Sequence, residues 1–387
     1  MIEIRGRQVR QRIVMGLAGA PTVVVDVSIQ ACREALGDEF EVFGLRGGPT
    51  GLVTGDLVPI DMVGLTLNPR GGSALSGGRK VMTLADIATT VEGLASAGID
   101  VLILAGGNGT MTLLSEIARE ARRSSVPLRV IGIPKTVDND LQGVDFSPGY
   151  ASSAHFLGMA VAALAADHRA MKSVEAIRVV ETIGRDSGWL AVAAATLLAR
   201  EHGIVADLCL VPESGAIRER ALIAGVDRAL QRGGQAFIIC SEGIDFGASA
   251  SQYQMRNHSQ LLLGGVARRM AGFLQTALGV ASRGEALGML QRSAYFAASE
   301  TDRQCAIYVG EQAARYCEAG LDSVMVGFKR VGNSPLRVRF SPVALAEVAN
   351  VTRRLPSHFR PESADYQDRF YDWLAPIASD CKLLTAE

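Results

Sequence analysis

The sequence predicts an α/β protein of parallel-rich sheets, built from βαβ units and divided over two lobes. Short apolar runs alternate with stretches of helical spacing along most of the 387 residues, as strands joined by crossover helices do. Most apolar runs give way at once to a polar or glycine-bearing loop, where open α/β sheets bind ligands. The length exceeds what one hydrophobic core usually fills, so two lobes of ordinary size are the default.

The first strand falls at Gln11–Met15, followed by the glycine-bearing turn Gly16–Thr22 and a helix over Val23–Leu36. Glu41–Leu45 reads as a strand, and Gly71–Lys80 as a glycine-rich loop ending in two cations, Arg79 and Lys80. That loop is not a P-loop, because Gly78-Arg79 stands where Lys-Ser/Thr is required. Leu84–Ala97 has the spacing of an amphipathic helix, Val101–Ala105 that of a buried strand, and Met111–Arg122 again that of a helix. The next strand is Leu128–Ile133. Beyond a helical stretch around Ser152–Ala166, strands are expected at Ala176–Val180, Asp207–Val211, Ala236–Cys240 and Gly284–Leu290, with a helix at Leu190–His202. Ser341–Leu355 reads as a surface helix. The tail from Phe359, with Tyr366, Phe370, Tyr371 and Trp373, is apolar enough to dock on the body or on another subunit.

Hydrophobic residues at 48% and charged residues at 20% describe a globular chain without a disordered tail. Lys+Arg 39 against Asp+Glu 40 leaves a formal charge of -1, which argues against a nucleic-acid surface. The six Cys (32, 209, 240, 305, 317, 381) show no CxxC and no His partner at metal spacing, and read as buried thiols of a reducing compartment. Arg5, Arg7, Arg10 and Arg12 lead into Ile13–Leu17, too short for a signal peptide's apolar region. Phe156–Ala166 and Trp189–Ala199 fall well below the roughly 20 residues of a membrane span. A soluble, cytoplasmic protein with neither a membrane nor a nucleic-acid partner is expected.

Two stretches carry chemistry. Ile131–Leu141 sets Lys135, Thr136, Asp138, Asn139 and Asp140 just past a buried strand that Pro134 terminates. Alternating carboxylates there suit a proton acceptor beside a metal, with Lys135 for an anion. An Asx-rich surface turn has the same composition. Gly106-Gly107-Asn108-Gly109-Thr110 runs strand, glycine turn, helix. That order aims free amides and a helix dipole at an anion, although an ordinary βα turn also uses glycine.

Taken together, the motifs resemble the phosphofructokinase family, in both its ATP-dependent and pyrophosphate-dependent branches, from about Ile13 to Gly332. GAPT at Gly19–Thr22, GG…GGRK at Gly71–Lys80, GGNGT at Gly106–Thr110, PKTVDND at Pro134–Asp140, GRDSGWLA at Gly184–Ala191, SEG at Ser241–Gly243 and LGMLQR at Leu287–Arg292 fall in family order. The resemblance implies two Rossmann-like lobes with the active site in the cleft between them. The donor-binding lobe would cover 1–150, completed by part of 292–332. The sugar-phosphate lobe would cover 151–291, and 333–387 would be a C-terminal helical extension.

By motif position, Asp138 resembles the general base that takes the proton of the attacking hydroxyl. Asp140 resembles the carboxylate that reaches Mg²⁺ through water, with Asn108 the other metal position, and Thr136 a contact to the acceptor. Lys135 and Arg79 complete the catalytic set. Gly19, Arg79, Lys80, Gly107, Asn108, Gly109 and Thr110 align with the donor-phosphate cradle. Ile183, Gly184, Arg185, Glu242, Arg283, Met289 and Arg292 align with the acceptor positions. The expected partners are ATP or pyrophosphate, a phosphorylated ketose such as fructose 6-phosphate, and further copies of the chain in a homodimer or homotetramer.

The chain departs from the family pattern in informative places. Asn108 replaces the metal-binding aspartate, Ala20 a glycine of the first loop, Ile183 a methionine, and Met289 the histidine before LQR. Ala176 aligns with an arginine that reaches a neighbouring subunit, and Arg178, on the same strand face, is the candidate substitute. The donor-selecting pair is Gly109 and Lys135, which resembles the lysine-bearing ATP-dependent branch. These changes keep a non-catalytic, regulatory relative in view as the alternative. A kinase of the NAD- or lipid-kinase kind would leave GRDSGWLA and LGMLQR without a role.

Overall fold

The computed structural model describes residues 10–246, 255–257, 260–262, 264–378 and 383–386; Arg5, Arg7 and Cys381 lie outside them. The chain begins with β1 (Arg12–Leu17), α1 (Val25–Leu36), β2 (Glu41–Leu45), α2 (Pro49–Thr54), β3 (Leu57–Pro59), α3 (Leu84–Ser96), β4 (Val101–Gly106), α4 (Asn108–Arg123) and β5 (Arg129–Pro134). It continues through α5 (Tyr150–Ala170), β6 (Ile177–Thr182), α6 (Trp189–His202), β7 (Leu208–Leu210), α7 (Glu219–Gly233), β8 (Ala236–Ser241), β9 (Met255–Asn257), β10 (Gln260–Leu262), α8 (Val266–Leu278) and β11 (Ser282–Ala286). Next come α9 (Leu290–Ser293), α10 (Glu300–Glu318), β12 (Val324–Asn333), β13 (Leu336–Ala344), α11 (Leu345–Val348), α12 (Tyr366–Ala378) and β14 (Leu383–Thr385).

Two sheets organise these elements. The larger runs β14-β13-β12-β5-β4-β1-β2-β3, and the smaller runs β11-β6-β8-β7. β1, β2, β4, β5 and β12 pair in parallel, whereas β3 and β13 run antiparallel to their neighbours β2 and β12. Every residue of β4 is buried, because helices cover both faces of such a sheet and apolar side chains must point both ways. Register then places the loops. Leu17 pairs with Ala105, and Gly106 with Pro134, so the chain leaves β1, β4 and β5 at one level. In the smaller sheet Thr182 pairs with Ser241 and Glu181 with Ala286, which brings the loops after β6, β8 and β11 together in the same way.

The expected helical extension over 333–387 is not what forms. β13 and β14 extend the larger sheet, and the stretch read as a surface helix, Ser341–Leu355, is the end of β13 followed by only the four-residue α11. Leu336 and Val338 are buried while Arg337 and Arg339 are exposed, a period-2 alternation that belongs to a strand covered on one face. α12 does dock on the body: Phe370, Leu374 and Ile377 are fully buried, and Phe370 and Trp373 pack against Trp189.

Candidate active site

The loop after β5 is wired internally. The Asp138 amide donates to Thr136 Oγ1 (3.1 Å), and the Thr136 hydroxyl donates to Asp140 Oδ1 (3.2 Å). Asn139 is fully buried and left-handed, at φ 54, a conformation asparagine tolerates better than most residues. Its Oδ1 accepts the Ser147 amide (3.0 Å), and the Ser147 hydroxyl accepts the Thr136 amide (2.9 Å). Inverting one residue this way turns Asn139 into the protein and sets the two carboxylates on either side of it. From the smaller-sheet side, the Ser187 hydroxyl donates to the Asp138 carbonyl (3.1 Å).

The donor side meets this loop directly. Asn108 opens α4, and its amide Nδ2 donates to Asp140 Oδ2 (2.7 Å) and to the Asp140 carbonyl (3.1 Å). The Thr110 hydroxyl donates to the Ala18 carbonyl (3.2 Å), and Lys135 Nζ to the Ala20 carbonyl (2.6 Å), which ties the loops after β1, β4 and β5 into one cradle. Gly19 pairs with Gly78 across the top, leaving Arg79 next in line and exposed. A Cβ on Gly77 would run into the Gly19 carbonyl, so glycine is required for that approach. Nothing lies within 4 Å of a Cβ built on Gly109, so the space beside the α4 amino end is open.

The acceptor side is as compact. The Ile183 amide donates to Gln291 Oε1 (2.8 Å), the Gly184 amide to Glu242 Oε1 (3.4 Å), and the Ser241 hydroxyl to the Gly184 carbonyl. Electrostatics join the two sides. Burial, then the charges of Asp140 and Glu242, raise the Asp138 carboxyl to about 7, against the pull of Arg79 and Lys135. Burial also raises Asp140 and Glu242. Lys135 is pushed down to about 8 by burial and by Arg79, and Arg292 is pulled down by the same two causes. Arg79, Lys135 and Arg292 therefore share one cleft with Asp138 and Glu242.

Some expected members are elsewhere. Lys80 Nζ is bound to Asp86 Oδ1 (2.6 Å), the carboxylate of the capping box that starts α3, and so serves that helix end. Arg178 and Arg283 are register partners near the amino ends of β6 and β11. Four residue steps along the strand, about 13 Å, separate Arg178 from Thr182, where the acceptor loop begins. Arg178 is buried in ion pairs with Glu175 (2.6 Å) and Asp167 (2.6 Å), and Arg283 pairs with Glu175 (3.0 Å). Neither reaches this chain's cleft. Arg178, buried between two carboxylates, is committed to ion pairs within its own chain. Met289 is half exposed just before α9. Sequence reading missed Ser147, Ser187, Gln291 and Arg353 as supports of the site. Ser187 and Gln291 stand within the family motifs, whereas Ser147 and Arg353 carry no local signal.

The residues present fit a Mg²⁺ ion that enters with phosphates. Asn108 Oδ1 and Asp138 Oδ1 are buried without a hydrogen-bond partner, and Mg²⁺ usually takes one or two protein oxygens plus water and phosphate. Both Asp140 carboxylate oxygens are already engaged by Thr136 and Asn108, which suits contact through water. Among the described residues no group of three His, Cys, Asp or Glu could cage a metal.

A buried carboxylate faced by Arg79, Lys135, Arg292 and a helix amino end across a cleft is the arrangement that phosphoryl transfer to a hydroxyl acceptor needs. The chain belongs to the phosphofructokinase family, whose model, described as Phosphofructokinase, matches residues 12–317. It is 32% identical over 371 residues to a sulfofructose kinase of Alkalicoccus urumqiensis, covering 95% of each chain. It is 29% identical over 382 residues to a pyrophosphate–fructose 6-phosphate 1-phosphotransferase of Xanthomonas campestris pv. campestris, covering 93% of this chain and 90% of the relative. The fold matches a pyrophosphate-dependent phosphofructokinase of Nitrosospira multiformis with TM-score 0.83 at 24% identity, over 96% of this chain and 93% of that one.

Proposed function

We propose that the protein transfers the terminal phosphoryl group of ATP to a ketose whose far end carries a sulfonate, sulfofructose being the acceptor that fits best. The observation that carries this reading is the cation count. Where the family pattern has a histidine before LQR and an arginine reaching a neighbouring subunit, this chain has Met289 and Ala176, which bring no charge. Arg292 is the cation of the acceptor set that stands in this chain's cleft, while Arg283 pairs with Glu175 near the amino end of its strand. A sulfonate carries one negative charge and a phosphate monoester close to two. Each charge-assisted hydrogen bond that a phosphate goes without costs about 1.5–3 kcal/mol, so fructose 6-phosphate is disfavoured. The sulfofructose kinase among the relatives supports the same acceptor class. The open space at Gly109 supports ATP, because a nucleotide needs room beyond the transferred phosphate.

In this reading Asp138 accepts the proton of the attacking hydroxyl, and Arg79 and Lys135 neutralise charge on the transferring group. Bound Mg²⁺ would be held by Asn108 Oδ1 and, through water, by Asp140, and would offset phosphate charge. Steady-state rates with sulfofructose and fructose 6-phosphate, each with ATP or pyrophosphate, test the proposal. Sulfofructose with ATP is expected to give the highest kcat/KM. Fructose 6-phosphate above about 10⁴ M⁻¹s⁻¹ and ahead of sulfofructose would overturn the acceptor. Turnover with pyrophosphate but not with millimolar ATP would overturn the donor.

A further inference from the structure

Residues 350–355 lie beyond the part of the chain that the family model matches, 12–317, yet they touch all three parts of the cleft. At one end the Asn350 amide donates to Thr112 Oγ1 (3.0 Å), whose hydroxyl donates to the carbonyl of Asn108 (3.1 Å). In the middle, Thr352 pairs with Leu141 in an antiparallel bridge, and the Arg353 amide donates to the Asp140 carbonyl (2.7 Å). At the other end the Leu355 amide donates to Glu213 Oε1 (2.8 Å). The same carboxylate accepts the Gly188 amide (3.0 Å) that closes the acceptor loop. The strap thus links the donor turn, the catalytic loop and the start of α6.

Arg353 is the side chain that works across these links. Its guanidinium stands 4.4 Å from the Trp189 ring centroid, within cation–π range, and donates to Asn139 Oδ1 (3.4 Å). Asn139 is the left-handed residue whose inversion sets Asp138 and Asp140 to either side. The charge also lies within electrostatic reach of Asp140 and Asp145. A left-handed non-glycine residue is kept in place by bonds from its surroundings.

Resting on the phosphotransferase reading above, we propose that Arg353 is a positioning residue for phosphoryl transfer, holding the Asp138–Asp140 loop in register with the acceptor lobe through Asn139 and Trp189. Its side chain is engaged by Asn139 and Trp189, so its removal should lower kcat and leave binding alone. A misplacement near 1 Å costs about 100-fold in rate.

The test compares Arg353→Met, which keeps the apolar stem over Trp189, and Arg353→Lys, which keeps the charge, in the full chain. With sulfofructose and ATP, kcat of the Met variant is expected to fall about 10–100-fold with both KM values within about threefold of wild type. The Lys variant should recover part of the loss. Hydrogen exchange of the amides of 136–141 should speed up in the Met variant while β4 and β8 exchange as in wild type, a readout independent of any acceptor. Unchanged loop exchange overturns the proposal, as does a rate loss that merely tracks the fraction unfolded and is equal in both variants. A wild-type protein inactive on every acceptor overturns the functional reading, and loop exchange still decides the role of Arg353.

Discussion

Asp138 is buried, crowded by Asp140 and Glu242, and kept partly ionised by Arg79 and Lys135, which is the balance a general base needs at neutral pH. Removing the proton acceptor by Asp138→Asn is expected to lower kcat roughly 10²–10⁴-fold with acceptor KM little changed, as measured by coupled assay. The wild-type rate should rise with pH through about 7, as the carboxyl loses its proton. Stability should run the other way. Because the folded-state pKa of about 7 lies above the ordinary 3.8, the folded protein binds the extra proton between those values, and stability falls as pH rises through that window. The Asn variant lacks this penalty. It should therefore melt above wild type at pH 8, and the gap should close towards pH 4.

At the scale of elements, two adjacent cations at the end of one glycine-rich loop have different duties. Arg79 follows the Gly19–Gly78 pairing into the cleft, where its charge is felt by Lys135, Asp138 and Arg292. Lys80 turns back to Asp86, which also accepts from the Thr83 backbone and hydroxyl at the α3 amino end. Arg79→Met should therefore reduce kcat/KM about 10–100-fold, the effect of removing one charge-assisted hydrogen bond to phosphate. Lys80→Met should leave kcat/KM within about threefold, because the Lys80 charge is bound to the Asp86 carboxylate at the α3 amino end. Equal losses in the two variants would return Lys80 to the donor cradle.

Over the whole molecule, the C-terminal segment completes a core laid down by the first half of the chain. β12 pairs with β5, β13 covers β12, and β14 closes the edge. Tyr150, Trp189, Phe359, Phe370 and Trp373 form one aromatic cluster joining α5, α6 and α12. Truncation after Gly332 would strip β12 of its antiparallel partner and open that cluster to water. Such an apolar patch with a bare strand edge favours aggregation. The truncated chain is expected in the insoluble fraction, or without a cooperative thermal transition. A soluble, cooperatively melting product would show that the segment is an appendage after all.

By itself the sequence determined the alternation of strands and helices, the parallel character of the sheets and the identity of the loops at their carboxyl ends. Each of these rests on local periodicity and turn chemistry: the all-apolar run Val101–Ala105, the glycines at 106, 107 and 109, and the proline that ends β5 at 134. What a side chain meets there is settled by register and by residues far along the chain. Lys80 binds a helix cap, and Arg178 and Arg283 pair with Glu175 near the amino ends of their strands, away from this chain's own cleft. Ser341–Leu355 looked helical because helix propensity is a weak prior, and the edge that β13 covers on β12 overrode it. Arg353 was invisible for the same reason: its partners Asn139 and Trp189 stand far back in the chain, and only the tertiary structure brings a charge from the tail against the loop that carries the base.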